Sequence, residues 1–524
     1  MTYDYDVAIV GYGPVGKVLA LNLASKGWKI GIFEKFPKAY PLPRAIVFDD
    51  EIARILQSVC NMEEVIEITA DVPDFYEWRN ASQEVLLKID WSLPGISGWP
   101  GTNFFSQPDL EAVLDKGCLA QPLIEVNMGH KAMNLVHEED HVELHVQTQQ
   151  GVDKEIKARY VVGCDGANSF VRKYMETPVT DLGFMYDWLI LDLIPHEERV
   201  WSPMNMQLCD PARPTTIASG GPGRRRFEFM RLPGETIDDL KDEAFAWKML
   251  EKWDLNPGNC TLERNAVYTF KAQWAESWRE GRLLLAGDSA HLMPPFMGQG
   301  MCSGLRDAQN LAWKLDLVLG EKVEEEILDT YTEERKDHVK ALIDMSIFLG
   351  KVICITDPEE AKQRDEAFFA GNVPPMPDFP NLQSGILDRD SLIPASGPAG
   401  NLSMQGQVEF QGTTGLFDDV VGAGWTIIST KSHPERVLSQ EEMEFLEQIQ
   451  GRCVYVSDDS LQQGEVLDRQ GAYAQYFKEN DCEAMIVRPD FYIFGAAKHL
   501  SDLPKLVQKL ASKIAVTNDL IVND

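Results

Sequence analysis

Apolar and polar positions along this chain alternate with the periods of strands and helices, most sharply in three segments. Tyr5 to Val10 is an apolar run of strand length. Gly11-Tyr-Gly13-Pro14-Val-Gly16 follows at once, then a helical pattern over Val15 to Ser25, Gly27, and a second strand, Trp28 to Phe33, ending at Glu34-Lys35. Far along the chain, an apolar strand, Leu283 to Ala286, stops at Gly287-Asp288. A Pro294-Pro295-Phe-Met-Gly298-Gln299-Gly300-Met301 loop follows, and a helical pattern starts near Ser303. Between these two segments, Tyr160 to Gly163 runs into Asp165-Gly166 and a helix start carrying Ser169 and Arg172.

The same patterning divides the chain. Residues 1–177 alternate strand and helix as a parallel α/β unit does, with strand-rich excursions near Asp74 to Trp91 and Val142 to Tyr160. Residues 178–275 are mainly strands (Trp188 to Leu193, Thr215 to Ser219, Arg226 to Arg231) with an acidic helix around Ile237 to Trp253, the profile of an inserted antiparallel sheet. Residues 276–355 return to the first unit and continue as helices. Residues 356–399 read as linker, Pro/Gly-rich at Val373 to Phe379 and Pro394 to Gly400. Residues 400–524 form a last unit with strands at Trp425 to Ser429, Cys453 to Ser457, Ala484 to Val487 and Phe491 to Ala496, then a terminal helix, Asp502 to Ile514.

The first segment is a dinucleotide fingerprint in its required context: Gly11 for the tight turn, Gly13 for close backbone approach, Gly16 for helix packing, and Glu34 about 20 residues on to hold a ribose. The late segment presents backbone N–H groups at a helix N-terminus, which stabilises negative charge by roughly 0.3 to 1 kcal/mol. Reduced flavin carries such a charge on its pyrimidine ring. Gly298 and Gly300 let the backbone approach a flat ring, Pro294 and Pro295 stiffen the loop, and Asp288 can accept hydrogen bonds from a ribityl chain. NAD has no ribityl chain, so Asp288 favours FAD. Taken alone, the middle segment reads equally as a capped turn in which Asp165 and Ser169 satisfy backbone N–H groups.

GxGxxG, DGxxSxxR and GDxAHxxPPxxGQG in this order resemble the class A flavoprotein aromatic hydroxylases, the para-hydroxybenzoate and phenol hydroxylase family. Cys209 to Pro214, Arg224 to Met230 and Leu232 to Glu235 look most like 3-(3-hydroxyphenyl)propionate hydroxylases. The resemblance covers the chain strongly to about residue 345. It implies an α/β fold: a Rossmann-like FAD-binding domain, an inserted antiparallel substrate-binding sheet, and a thioredoxin-like C-terminal domain, here without CxxC and so without dithiol chemistry. FAD is implied to lie on Gly11, Gly13, Pro14, Gly16, Glu34 and Lys35, touched by Arg44 and Gln107, with Asp288 on the ribityl chain and Pro295, Gly298, Gln299, Gly300 and Met301 along the isoalloxazine. Asp165 and Arg172 are implied to serve FAD placement and the passage of NADH or NADPH. Read without the resemblance, Arg44 is as well explained as a solvated loop arginine and Gln107 as a helix cap.

The chemistry so implied is reduction of FAD by NAD(P)H, addition of dioxygen, and delivery of one oxygen atom from the hydroperoxide to an electron-rich ring. Asn205, Gln207, Arg226 and Glu228 are the candidate substrate contacts, alternating along strands of the inserted sheet. His291 lies on the flavin loop. No catalytic base is assigned and no metal site is expected. Flavin-dependent halogenation or oxidation on the same fold is the competing enzyme reading, weakened by the missing WxWxIP signature; a catalytically silent flavin-binding scaffold is the non-enzymatic one.

Composition narrows the partners. With 524 residues, 44% of them hydrophobic and 25% charged, the chain is long enough for two or three domains. A net charge of -33 and a pI near 4.7 repel nucleic acid and anionic membranes. Anionic substrates would need local cations, for which Arg224 to Arg226 are the obvious cluster, though a solvated turn explains it as well. The nine cysteines are scattered without paired spacing, as in a reducing compartment. The start of the chain has no basic region ahead of its apolar run, so no signal peptide is expected. The expected location is the cytoplasm. The expected partners are a small aromatic substrate and O2, with a homodimer as the assembly to test.

Overall fold

The computed structural model describes residues 3–70, 72–373, 375, 377–389, 397–458 and 465–514. Its first sheet runs in the order Arg279–Glu280, Leu283–Leu285, Asp153–Gly163, Tyr5–Val10, Ile30–Glu34, Ile124–Met128, and is parallel from Leu283–Leu285 to Ile124–Met128. Tyr5–Val10 lies at its centre and is covered on both faces, which is why it reads as an unbroken apolar run. The helix Pro14–Ser25 starts with proline at its first position and packs on Gly300–Leu319, a helix buried on almost every side. The late helix thus begins at Gly300, ahead of the expected Ser303.

A second sheet crosses above the first, ordered His291–Leu292, Cys260–Ala275, Val179–Pro195, Arg225–Met230, Thr215–Ser219, Asn205–Cys209, Phe75–Asn80, Val85–Asp90. The excursion near Asp74 to Trp91 therefore belongs to this sheet: Phe75–Asn80 pairs in parallel with Asn205–Cys209. On the outer face Leu189, Leu191, Leu193, Phe227 and Phe229 pack with Leu240, Ala246 and Leu250 of the helices Ile237–Lys241 and Glu243–Leu250. The inner face turns towards the first sheet.

The C-terminal sheet runs Thr413–Leu416, Gln407–Phe410, Val466–Leu467, Arg452–Ser457, Thr426–Ser429, Ala484–Val487, Ile493–Ala497. A helix, Pro358–Phe369, lies inside the segment expected to be linker; of the Pro394 to Gly400 stretch, residues 394–396 lie outside the described residues. No helix among the described residues is long and apolar enough to cross a membrane.

Buried charge holds the C-terminal unit to the helices of the first. Glu334 Oε2 accepts from Lys314 Nζ at 2.9 Å, Arg488 Nη2 at 2.6 Å and Asn310 Nδ2 at 2.7 Å, and Arg488 also donates to Asp490 at 2.6 Å. Burial works to raise the Glu334 carboxyl, but Arg488 and Lys314 outweigh it and hold its pKa well below the usual range. A carboxylate depressed in this way contributes stability above its unfolded pKa, and that contribution is lost as pH falls towards the folded value. Glu334→Ala leaves two cations buried without their shared partner, so guanidinium unfolding should show a loss of about 3 to 5 kcal/mol. A loss below about 1 kcal/mol would contradict this role.

Candidate functional site

The middle turn of the three singled out in the sequence touches the other two through backbone, and the late turn meets the first through the Val15 side chain. Gly11 has φ +109°, and a Cβ there would lie 2.3 Å from Cys164 O and 3.0 Å from Asp165 Cα. Cys164 N donates to Val10 O at 2.8 Å, and a Cβ on Gly16 would meet Gly11 O at 2.4 Å. The middle turn joins the late one where Ala286 N and Ser289 Oγ both donate to Gly163 O, at 3.0 and 2.5 Å. The late turn closes on the first: Cβ atoms on Gly287 and Gly304 would lie 3.0 and 2.6 Å from the same Val15 methyl. Only glycine permits these approaches.

Side chains fasten the turns. Asp165 accepts from Ser169 Oγ at 2.5 Å, Phe170 N at 2.6 Å and Val171 N at 3.3 Å, while Ser169 Oγ caps Arg172 N at 3.0 Å. Burial nevertheless leaves the Asp165 carboxyl raised in pKa. Arg172 spans the gap, donating to Ala167 O at 2.6 Å on its own turn and to Ser289 O at 2.6 Å on the late one. On the late turn Gly287 N and His291 Nε2 both engage Asp307, at 3.0 and 2.7 Å, and Arg335 Nε bonds its other oxygen at 2.9 Å.

The late loop is pinned from behind. Pro295–Met297 forms a short 3-10 turn and Gly298 follows at φ +67°, where a Cβ would strike Val47 at 2.4 Å. Arg306 donates to Gln299 Oε1 at 2.8 Å and to Asp49 and Glu51, each at 2.5 Å, and Gln299 itself reaches Asp49 at 3.1 Å. Gly300 and Met301 open the helix, which no side chain caps. Arg306, Asp307, Arg335, Asp49 and Glu51 were missed from sequence. The signal for two of them was the adjacent charged pair Arg306-Asp307 in the first turns of a helix that follows the Gly-rich loop.

The arrangement fits a dinucleotide carrying a flat ring. The helix Pro14–Ser25 also lacks a side-chain cap, and a Cβ on Gly13 would meet no protein atom within 4 Å, so its N–H donors are accessible to an anion. Glu34 accepts from Tyr12 N at 3.1 Å and Phe36 N at 2.9 Å, and Lys35 is exposed beside it. Gln107 accepts from Ala45 N at 2.8 Å and donates to Glu111 at 2.8 Å, which in turn holds buried Lys17 at 3.1 Å. Gln107 thus fixes the turn that carries Arg44. Asp288 is open to the groove; crowding by protein around it raises its pKa, against the opposing charges of His291 and Arg44.

The inner face of the second sheet covers this groove in three rows set by cross-strand register. Ala218, Arg226, Asp192 and Arg264 form a charged row; Gln207, Thr216, Glu228, Ile190 and Ala266 a middle row; Met230, Trp188 and Tyr268 an apolar row. The charged row meets the first domain where Arg226 donates to Arg44 O at 2.6 Å and Arg264 donates to Pro43 O. The apolar end meets the late loop, with Phe296 edge-on to Trp188 at 5.8 Å. Arg226 also binds Asp192 through two bonds of 2.6 and 3.0 Å. Gln207 accepts from Thr216 Oγ1 at 2.7 Å, and Asn205 Oδ1 accepts from Ser219 N at 2.9 Å. Of the four candidate contacts, Glu228 alone makes no close bond, its approach to Arg226 being 3.8 Å. Arg224 turns away to Asp109 at 3.0 Å.

Comparison with known proteins gives the same picture. The FAD binding domain family model matches residues 4–346, and the HcaD C-terminal domain model residues 400–513. The chain is 36% identical to a probable NADH-specific resorcinol 4-hydroxylase of Rhodococcus jostii (strain RHA1), covering 97% of this chain and 95% of that protein. It is 32% identical to a 3-(3-hydroxy-phenyl)propionate/3-hydroxycinnamic acid hydroxylase of Escherichia coli (strain SMS-3-5 / SECEC), covering 99% and 96%. Among solved structures, the flavin-dependent monooxygenase PieE with FAD and substrate shares the fold at a TM-score of 0.82, with 19% identity over 98% of this chain and 100% of that one. Aklavinone-11 hydroxylase with FAD and aklavinone does so at 0.78, with 20% identity over 98% and 100%. The chain belongs to the FAD binding domain family, among the flavoprotein aromatic hydroxylases.

Proposed function

We propose that this chain is an FAD-dependent monooxygenase that places one oxygen atom of O2 on a phenolic ring at the expense of NAD(P)H. The observation that carries this reading is the closure of the Gly11, Asp165 and Asp288 turns on one another beneath a sheet face that is polar in its middle and aromatic at one end. Bound FAD would supply the redox chemistry, taking electrons from NAD(P)H and activating dioxygen.

The chain's own residues then have separable tasks. Gly11, Gly13, Pro14 and Gly16 seat the diphosphate at a helix N-terminus. Glu34 and Lys35 bound the adenosine end, with Glu34 shaping its turn through Tyr12 N and Phe36 N. Arg44, fixed through Gln107, and Asp288 line the path to the ring. Pro295, Gly298, Gln299, Gly300 and Met301 line the ring edge, where an uncapped helix end favours the reduced anion. Asp165 and Arg172 act as a clasp between turns, and Asn205, Gln207, Arg226 and Glu228 contribute to the substrate face. Trp188, Phe270 and Phe296 exclude water at the apolar end.

In this reading residues 1–177 and 276–355 form the FAD domain, and residues 178–275 the substrate domain, joined by the strands of 75–90. Residues 400–524 form a thioredoxin-like domain. Its support is a parallel pair, Thr426–Ser429 and Arg452–Ser457, joined through the helix Gln440–Gln448, with two antiparallel strands beyond and a closing helix, Leu503–Ile514. Nine free thiols suit a reducing compartment, and we place the chain in the cytoplasm.

Two outcomes are expected. Purified protein should be yellow or become so with FAD, oxidise NADH or NADPH faster when a phenol is added, and yield a product heavier by one oxygen in mass spectrometry. Failure to bind any flavin would overturn the assignment. Arg172→Met removes charged hydrogen bonds of roughly 1.5 to 3 kcal/mol between the turns, so FAD titration of the apoprotein should give a Kd raised about tenfold or more. An unchanged Kd would show that the clasp does not shape the site.

A further inference from the structure

The middle row of the inner face carries a carboxylate, Glu228, whose ion pair with the charged row is long and shared with Asp192. Glu228 sits between the charged row, pinned to Pro43 and Arg44, and the apolar row that meets Phe296. Its side chain is 14% exposed, and its nearest cation, Arg226 Nη1, stands 3.8 Å away. That cation is already engaged: Arg226 gives two bonds to Asp192 and others to the carbonyls of Pro43 and Arg44. Arg264, the other guanidinium on the face, is committed to Pro43 O and Tyr268 Oη and approaches Asp192 at 3.8 Å, and its Nε is buried without a partner.

Resting on the hydroxylase reading, we propose that Glu228 accepts the hydroxyl proton of a neutral dihydric phenol, and that this face selects such phenols over aromatic carboxylates. The ring would lie in the apolar row against Phe296, with one hydroxyl directed at Glu228. The substrate O–H bond breaks, its proton passes to a Glu228 carboxylate oxygen, and the electron pair stays on the phenolic oxygen, enriching the ring carbons ortho and para to it. A carboxylate-bearing ring would bring a second negative charge beside Glu228, where both guanidinia of the face already bond Asp192 or backbone carbonyls, a like-charge juxtaposition that costs several kcal/mol.

The charged surroundings are compatible with a base. Burial raises the Glu228 carboxyl first, Asp192 across the strand raises it further, and Arg226 and Arg264 only partly oppose them. Tyr76, on the far strand of the sheet, also lies within the field of Glu228. A carboxyl whose pKa is raised is a stronger proton acceptor once ionised.

The test compares resorcinol with 3-(3-hydroxyphenyl)propionate in the holoenzyme and in Glu228→Gln and Glu228→Asp, after FAD content and Tm confirm that each variant is folded. Wild-type kcat/KM for resorcinol should exceed that for the acid by about tenfold or more, and should rise with pH through the Glu228 titration. In Glu228→Gln it should fall roughly 100-fold with that rising limb abolished, while Glu228→Asp keeps the limb. A higher kcat/KM for the acid, or an unchanged pH limb in Glu228→Gln, overturns the proposal and leaves the hydroxylase reading standing. If no phenol of either kind stimulates NAD(P)H oxidation, both fall.

Discussion

The structure depends on the approach of three turns to backbone distance. Gly11 lies against Cys164 and Asp165, Gly287 against Val15 and Gly304, and no side chain fits between them. Because protein interiors are close-packed, a methyl group at any of these points would separate the strand ends that the turns terminate. The consequence reaches beyond packing. With the turns in contact, two uncapped helix N-termini, of Pro14–Ser25 and Gly300–Leu319, are held on one groove. Each is a weak anion site alone; held together, they suit a diphosphate and a ring that becomes negative on reduction.

The remainder of the molecule keeps that groove in register. Arg172 ties the middle turn to the late one, and Arg306, held by Asp49 and Glu51, ties the late loop to the segment after the second strand. Behind these, Glu334, Lys314, Arg488 and Asp490 bring the C-terminal unit onto the same helices. Buried ion pairs are weak contributors to stability compared with apolar packing, but they are exacting about geometry. Above the groove, the cations of the second sheet bond Asp192 and backbone carbonyls, and Glu228 stands 3.8 Å from Arg226 without a closer bond.

Much of this was legible in the sequence where a residue type answers a local demand. Gly11, Gly16 and Gly298 announce their turns because other residues would clash or strain there, and Asp165 and Asp288 stand at strand ends where turns must begin. What the sequence hid is what long separations decide. Phe75–Asn80 reads as part of the first domain but completes the second sheet beside Asn205–Cys209. Val179–Pro195 extends well beyond the apolar core Trp188 to Leu193 because its first half, though largely exposed, pairs along its length with Cys260–Ala275. Arg306 and Asp307 look like solvated helix charges until Asp49, Glu51 and Arg335 are folded around them. Asp165 and Ser169 do build the capped turn that their residue types suggest, each accepting a backbone N–H at the start of the next helix.

If one dinucleotide occupies all three turns at once, diffraction from crystals of the protein grown with FAD should show it. The expected density is one FAD per chain, with its diphosphate at the start of Pro14–Ser25, its ribityl chain beside Asp288, and its ring between residues 295–301 and Glu228. Density for FAD that leaves the Asp288 turn uncontacted, or a ring placed away from the Glu228 face, would contradict it.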